Sequence, residues 1–206
     1  MKIREPFNSF SHFIGIFLAI LGLVLLLIRG GNNVWEYVSF SVYGATLILL
    51  YFFSTMLHSL SEGKYRIWKR FDHIAIYWLI AGTYTPFCLT VLRGGWGWSI
   101  FGVIWGMTIL FTVLKAIFID MSAKLSTLIY VLMGWLNVIG FYPMTKNFKS
   151  WGIIWLVLGG LIYTIGGVIY VRKKPNLGKI VDYHGLWHLL VMLGSFFHYL
   201  SVYYFL

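Results

Sequence analysis

Long hydrophobic runs, separated by short polar or glycine-containing breaks, dominate the sequence. Each run is long enough for an α-helix to cross the ~30 Å hydrocarbon core of a bilayer, which takes about 20 residues. The breaks carry turn-forming or charged residues, for example at positions 30–33 and 172–176. The pattern predicts an all-α, polytopic membrane protein that forms one seven-helix bundle over residues 1–206. The predicted transmembrane segments are 10–28, 34–60, 71–92, 96–119, 124–143, 151–171 and 182–205.

The composition agrees with a membrane protein rather than with a soluble domain. Hydrophobic residues make up 60% of the chain and charged residues 11%, whereas soluble domains contain about 45–50% apolar and about 25% charged residues. A net charge of +10 would suggest a nucleic-acid partner for a soluble protein. Here the basic residues flank the hydrophobic runs, so we expect membrane lipids as partners and no nucleic acid.

The distribution of basic residues predicts the orientation of the bundle, because cytoplasmic loops carry an excess of lysine and arginine. Twelve of the 16 basic residues lie at the N-terminus and in the second, fourth and sixth loops, and four lie in the other loops. We therefore expect a cytoplasmic N-terminus, an external C-terminus and a location in the plasma or inner membrane. The larger group consists of Lys2, Arg4, Lys64, Arg66, Lys69, Arg70, Lys115, Lys124, Arg172, Lys173, Lys174 and Lys179.

Five of the six histidines fall at the cytoplasmic end of this predicted bundle. His184 and His188 are four residues apart at the start of the last segment, so on a helix both rings can face one metal ion. His58 ends the second segment and can reach the same place from another helix. Three imidazoles with a fourth position left open are typical of catalytic zinc. The predicted Zn²⁺ ligands are therefore His58, His184 and His188.

Two further polar residues are candidates for catalysis beside this metal. Ser54 precedes His58 by one helical turn and can orient a ligand or donate to a substrate oxygen. Asp72 opens the third segment, where a carboxylate that does not bind the metal can hold a water molecule and accept its proton. Each residue also has a purely structural interpretation: an interface histidine at 58, a helix cap at 72, a packing residue at 54. Their common position in one leaflet favours the metal site.

Together these motifs resemble the bacterial hemolysin III family, which belongs with the progestin and adipoQ receptors, including the adiponectin receptors. The resemblance covers essentially the whole chain and implies seven helices, a cytoplasmic N-terminus and zinc bound near the cytoplasmic face by His58, His184 and His188. It also implies that Asp72 and Ser54 relate to the zinc-bound water. The matching motifs are Glu5-x-x-Asn8-x-x-x-His12, Ser54-x-x-x-His58, Asp72 with the stretch 81–86, and His184-x-x-x-His188.

The resemblance suggests hydrolysis of a lipid amide or ester, as in the similar alkaline ceramidases, or control of membrane lipid composition. We favour a zinc-dependent hydrolase of an acyl lipid, with the acyl chain inside the bundle and Asp72 accepting a proton from the attacking water. One alternative is a non-enzymatic membrane sensor or receptor-like protein with structural zinc. Another is a pore-forming, hemolysin-like protein. Five residues receive no role from the sequence: Glu5, Asn8, His12, His73 and His198.

Overall fold

A computed structural model describes residues 3–60, 62–178 and 180–206 and builds this part of the chain from helices. The predicted all-α class is therefore confirmed. Short 3-10 turns at Glu62–Lys64 and Leu136–Gly140 connect some of the helices. The α-helices are α1 (Pro6–Gly30), α2 (Val34–Ser59), α3 (Tyr65–Leu89), α4 (Gly95–Ile117), α5 (Ala123–Trp135), α6 (Phe141–Asn147), α7 (Ser150–Arg172) and α8 (Tyr183–Phe205).

Six stretches of the described chain are helical, long and apolar enough to cross a membrane. One of them consists of α5, α6 and the 3-10 turn between them. The six stretches correspond to six of the seven predicted segments. The remaining segment, 71–92, is part of α3, which begins earlier, at Tyr65, and is not among the six. This helix packs against α2, α4, α5 and α8, and Tyr77 and Ala81 on it are fully buried. A helix enclosed by others can carry polar side chains that lipid would not tolerate.

The first helices of the bundle, α1 to α3, alternate in direction along the chain. The start of α1 meets the end of α2, where the Glu5 amide donates to the carbonyl of His58 at 3.1 Å. At the other end, the guanidinium of Arg93 after α3 lies 4.1 Å from the ring centroid of Trp35 in the first turn of α2. We use "histidine end" for the end at which α1, α3, α5 and α8 begin. The basic residues Lys2 and Lys179, two of the predicted cytoplasmic group, lie outside the described residues.

The fifth predicted segment, 124–143, is not one continuous α-helix. It breaks at the 3-10 turn that joins α5 to α6. The Tyr84 hydroxyl from α3 shares its one hydrogen between the carbonyls of Met133 and Gly134, at 2.9 and 2.7 Å, and accepts from the backbone amide of Asn137 at 2.8 Å. Backbone groups at membrane depth need partners, and this single phenol supplies them. The break is stable because a neighbouring helix satisfies it.

Close packing of α7 on α8 depends on glycines in α7. A Cβ atom at Gly166 would lie 2.8 Å from the Trp187 ring, and one at Gly159 would collide with the His198 imidazole. Small residues let helix backbones approach closely in a bilayer. This packing holds the first turns of α8, which carry two of the candidate ligands, against the rest of the bundle.

Candidate metal centre

Three histidines converge at the histidine end, and they are the three that the sequence predicts. His58 lies in the last turn of α2, and His184 and His188 lie in the first two turns of α8. Their ring centroids form a nearly equilateral triangle with sides of 4.8, 5.0 and 5.0 Å. One ligand nitrogen from each ring lies within 4.8 Å of the other two, a grouping that could hold a metal ion. We call these residues the histidine cluster.

The donor set of the histidine cluster fits a divalent transition metal. His58 and His188 are only 1% and 2% exposed. His58 uses Nδ1 for a contact of 2.6 Å with Glu5 Oε2, while its buried Nε2 has no hydrogen-bond partner in the part of the chain that the structure describes. A buried polar atom normally has a partner, and neutral imidazole nitrogens suit zinc and its first-row neighbours. A metal ion bound at Nε2 would give this nitrogen a partner.

Asp72 and Ser54 lie beside the histidine cluster and line the same cavity. Ser54 is 2% exposed and sits one turn before His58 on α2. Asp72 lies in the second turn of α3. Asp72 is not part of the group of converging ligand atoms found among the described residues.

Asp182 has a structural role at the edge of this site. Its Oδ1 atom accepts hydrogen bonds from the backbone amides of His184 and Gly185 at 3.1 and 2.8 Å. This is the N-cap arrangement that satisfies free amides at the start of a helix. The Asp182 carboxylate thereby fixes the start of α8 and, with it, the position of His184 and His188 along the bundle axis.

Glu5 and the first two turns of α1 contact the histidine cluster. The sequence did not predict this contact. Glu5 Oε2 contacts His58 and also accepts from the Asn8 side-chain amide at 3.0 Å. The His12 ring stacks on His188 with centroids 3.8 Å apart and planes inclined by 18°. Ser11 Oγ lies 3.5 Å from His188 Nδ1. The i, i+3, i+7 spacing of positions 5, 8 and 12 signals one helix face, but nothing in the sequence singles out Ser11.

Glu5, which lies just before α1, stays ionised beside this site. The hydrogen bond from His58 lowers the pKa of the Glu5 carboxyl to about 2, and partial burial opposes this effect without overcoming it. The Asn8 amide and the Arg4 guanidinium, whose Nε lies 3.3 Å from Glu5 Oε1, act in the same direction as His58. At neutral pH the site therefore contains a fixed negative charge next to one imidazole.

Like His12, His73 and His198 lie outside the histidine cluster. The backbone carbonyl of His73 accepts from the Tyr130 hydroxyl at 3.1 Å, which ties α3 to α5. His198 donates from Nε2 to the carbonyl of Leu156 at 3.2 Å, which ties α8 to α7. Neither histidine belongs to the converging group among the described residues. Both connect helices.

A cavity of about 720 Å³ adjoins the histidine cluster. At the histidine end its wall includes Arg4 and Lys69, and it continues through the bundle as far as Met144 and Leu156. Beyond the cluster most of the lining side chains are apolar. A cavity of this size and lining is suited to a largely apolar ligand with one polar group.

Fold and site together define a multi-pass helical protein of the cell membrane with three histidines that could hold a metal ion. The chain belongs to the haemolysin-III-related family, whose model matches residues 1–199. It is 38% identical over 195 residues to Hemolysin-3 of Bacillus cereus, covering 93% of this chain and 87% of the relative. It is 39% identical over 195 residues to the Hemolysin-3 homolog of Bacillus subtilis, covering 93% of this chain and 89% of the relative.

A more distant similarity extends to vertebrates. The chain is 27% identical over 201 residues to the human monocyte to macrophage differentiation factor, covering 95% of this chain and 81% of the relative. That protein represents the progestin and adipoQ receptor family. The family resemblance seen in the sequence motifs is thus confirmed over almost the entire chain.

Proposed function

We propose that this protein is a zinc-dependent hydrolase that cleaves an amide or ester bond of an acyl lipid and so takes part in membrane lipid homeostasis. The observation that carries the proposal is the histidine cluster opening onto a mostly apolar cavity. Zinc sites with three protein ligands are typically catalytic, because the fourth position stays available. A purely structural site usually has four protein ligands.

His58, His184 and His188 would hold the zinc, with His58 binding through Nε2 because Nδ1 is already engaged by Glu5. When bound, zinc supplies a Lewis acid that polarises an acyl carbonyl and lowers the pKa of water. Asp72 would accept a proton, a role supported by its position in the cavity wall and outside the converging ligand atoms of the described residues. Ser54, which lines the same cavity, would donate its hydroxyl hydrogen to a substrate oxygen. The apolar part of the cavity would exclude water and hold the acyl chain.

Substitution of Asp72 tests the enzymatic proposal. Asp72→Asn keeps the size of the side chain and removes the base, so we expect normal zinc content and loss of at least 100-fold in turnover, within the range for general-base catalysis. The measurement is release of free fatty acid from defined ceramides and phospholipids by purified protein in detergent, at matched zinc occupancy. Wild-type protein that is zinc-loaded and cleaves no acyl lipid would contradict the proposal.

The deep burial of His58 and His188 supports a second candidate, a non-enzymatic sensor in which zinc is structural. In that case Asp72→Asn would leave both zinc content and the effect of the protein on membrane lipids unchanged. The name of the bacterial relatives suggests a third candidate, a pore. A pore needs a polar path, whereas the cavity beyond the histidine cluster is mostly apolar. Dye release from liposomes containing the protein, without release of free fatty acid, would support the pore and contradict the hydrolase.

We further propose that α3 is the seventh membrane span and that the histidine end faces the cytoplasm. The described members of the larger basic group, such as Arg4 and Arg70, flank this end of the bundle. Leu206 lines a surface pocket at the other end together with Trp35 and Arg93. Because the chain starts and finishes at opposite ends, an odd number of crossings follows. A reporter fused to the C-terminus should be active outside the cell, and activity in the cytoplasm would contradict this topology.

A further inference from the structure

One face of the N-terminal end of α1 contacts the histidine cluster, although α1 contributes none of the three converging ligands. Glu5, Asn8, Ser11 and His12 lie within two turns of one helix, and each points at the site or at a residue that does. Metal-binding histidines in proteins usually donate their second ring nitrogen to a carboxylate or another acceptor, which fixes the tautomer and the ring orientation. His58 meets Glu5 in this way, and His188 meets α1 through the stacked His12 ring and a longer contact with Ser11.

We propose that this face of α1 is the outer shell of the metal centre, in which Glu5 positions His58, and Ser11 and His12 position His188. The inference rests on the metal centre of the proposed function. It does not depend on whether that centre catalyses hydrolysis. It assigns a role to the Glu5-x-x-Asn8-x-x-x-His12 motif, for which the sequence alone gives none.

Glu5 selects the nitrogen that His58 offers. Glu5 Oε2 lies 2.6 Å from His58 Nδ1. A carboxylate oxygen accepts a hydrogen bond, so this contact favours the tautomer of a neutral imidazole with its proton on Nδ1 and its lone pair on Nε2. The carboxylate is itself held by the Asn8 amide at 3.0 Å and by Arg4 at 3.3 Å. The backbone of Glu5 also donates to the His58 carbonyl at 3.1 Å. Both ends of the contact are therefore fixed before a metal arrives.

His188 is held by packing rather than by charge. Its ring is stacked on His12, with centroids 3.8 Å apart, and both residues are almost completely buried, at 2% and 3% exposure. Ser11 Oγ lies at 3.5 Å from Nδ1, a long contact that orients the ring only weakly. Because stacked rings cannot rotate independently in a close-packed interior, His12 restricts the plane in which His188 presents its other nitrogen.

The test is the zinc affinity of purified full-length protein, measured by competition with a chromophoric chelator. Glu5→Ala should weaken zinc binding by about 10–100-fold, the usual effect of removing a supporting carboxylate. Glu5→Gln should weaken it less, because the amide oxygen still accepts from Nδ1. The matched controls are Glu36→Ala and Glu36→Gln, since Glu36 is held by Asn33 at 2.7 Å in the first turn of α2, at the other end of the bundle. These should bind zinc like the wild type.

Cobalt substitution separates positioning from general loss of structure. The visible absorption of bound Co²⁺ reports ligand geometry, so it should change in Glu5→Ala and not in Glu36→Ala. His12→Ala should weaken zinc binding, and His12→Phe should restore it, because phenylalanine keeps the stacked ring and lacks nitrogen. If His12→Phe instead lost zinc as completely as His58→Ala, His12 would be a ligand and its positioning role would be wrong.

Three results distinguish this inference from the proposed function. If Glu5→Ala left both the zinc affinity and the cobalt spectrum unchanged, the outer-shell role would be overturned and the metal centre would still stand. A wild-type protein that binds no zinc would overturn both the metal centre and the outer shell. Zinc binding is measured without substrate, so a zinc-loaded wild type without lipid hydrolysis would count against the hydrolase only, while a 10–100-fold weakening in Glu5→Ala would still support the role of α1.

Discussion

Replacement of His58 by alanine should remove the zinc-dependent part of the stability of this protein. His58 is the only member of the histidine cluster on α2, and the other two lie on α8, so the metal would join two helices. A ligand that binds only the folded state stabilises it by RT ln(1 + [L]/Kd), or about 2.7 kcal/mol at 100 times Kd. If the substitution weakens binding 100-fold, the same zinc concentration contributes only about 0.4 kcal/mol. The expected loss is therefore about 2.3 kcal/mol.

Unfolding in detergent, with zinc and with a chelator, measures this loss directly. The difference between the two conditions isolates the metal, because a cavity left by His58→Ala destabilises the protein equally in both. His198→Ala is the control: it removes the hydrogen bond to Leu156, worth about 1 kcal/mol, and should leave the zinc-dependent difference intact. A His58→Ala protein with the full wild-type response to zinc would refute the assigned ligand set.

Three further substitutions probe the fold and the chemistry. Tyr84→Phe leaves the backbone groups at the α5–α6 break without their partner and should destabilise the protein by about 1–3 kcal/mol, measured by reversible unfolding; unchanged stability would mean that the break needs no support. Gly166→Leu forces α7 away from Trp187 and should destabilise by a similar ~1–3 kcal/mol in the same assay, whereas a neutral effect would contradict close α7–α8 packing. Asp72→Asn should retain zinc by metal analysis, and a large loss of metal would make Asp72 a ligand rather than a base.

The helical class and most helix positions follow from the sequence because both depend on local properties. The length of each hydrophobic run matches the thickness of the bilayer. A lipid-facing helix such as α1 must also be apolar along its exposed side. The pair His184 and His188 is equally local, since the helical repeat alone places both rings on one face. His58 is predictable because helices that reverse direction at each crossing place the end of α2 and the start of α8 at the same end of the bundle.

Other features depended on contacts between segments far apart in the chain. The sequence predicts one membrane-spanning segment over 124–143. The structure interrupts its α-helix with a 3-10 turn, and Tyr84 on α3 contacts two backbone carbonyls beside this break. Likewise, α3 carries polar residues because other helices enclose it. The hydropathy of a segment can be read from its own residues. Whether that segment can contain a break or a polar side chain within the membrane depends on the helices that pack against it.

The metal centre shows the same division. Its three candidate ligands could be chosen from residue type and spacing, but the support given by Glu5 and His12 could not. Glu5 reaches His58 across 53 positions of sequence, and His12 reaches His188 across the contact between α1 and α8. The sequence by itself determined which histidines are available to a metal. Only the tertiary structure decided how those nitrogens are oriented, because orientation depends on hydrogen bonds and packing between helices that the chain brings together only when it folds.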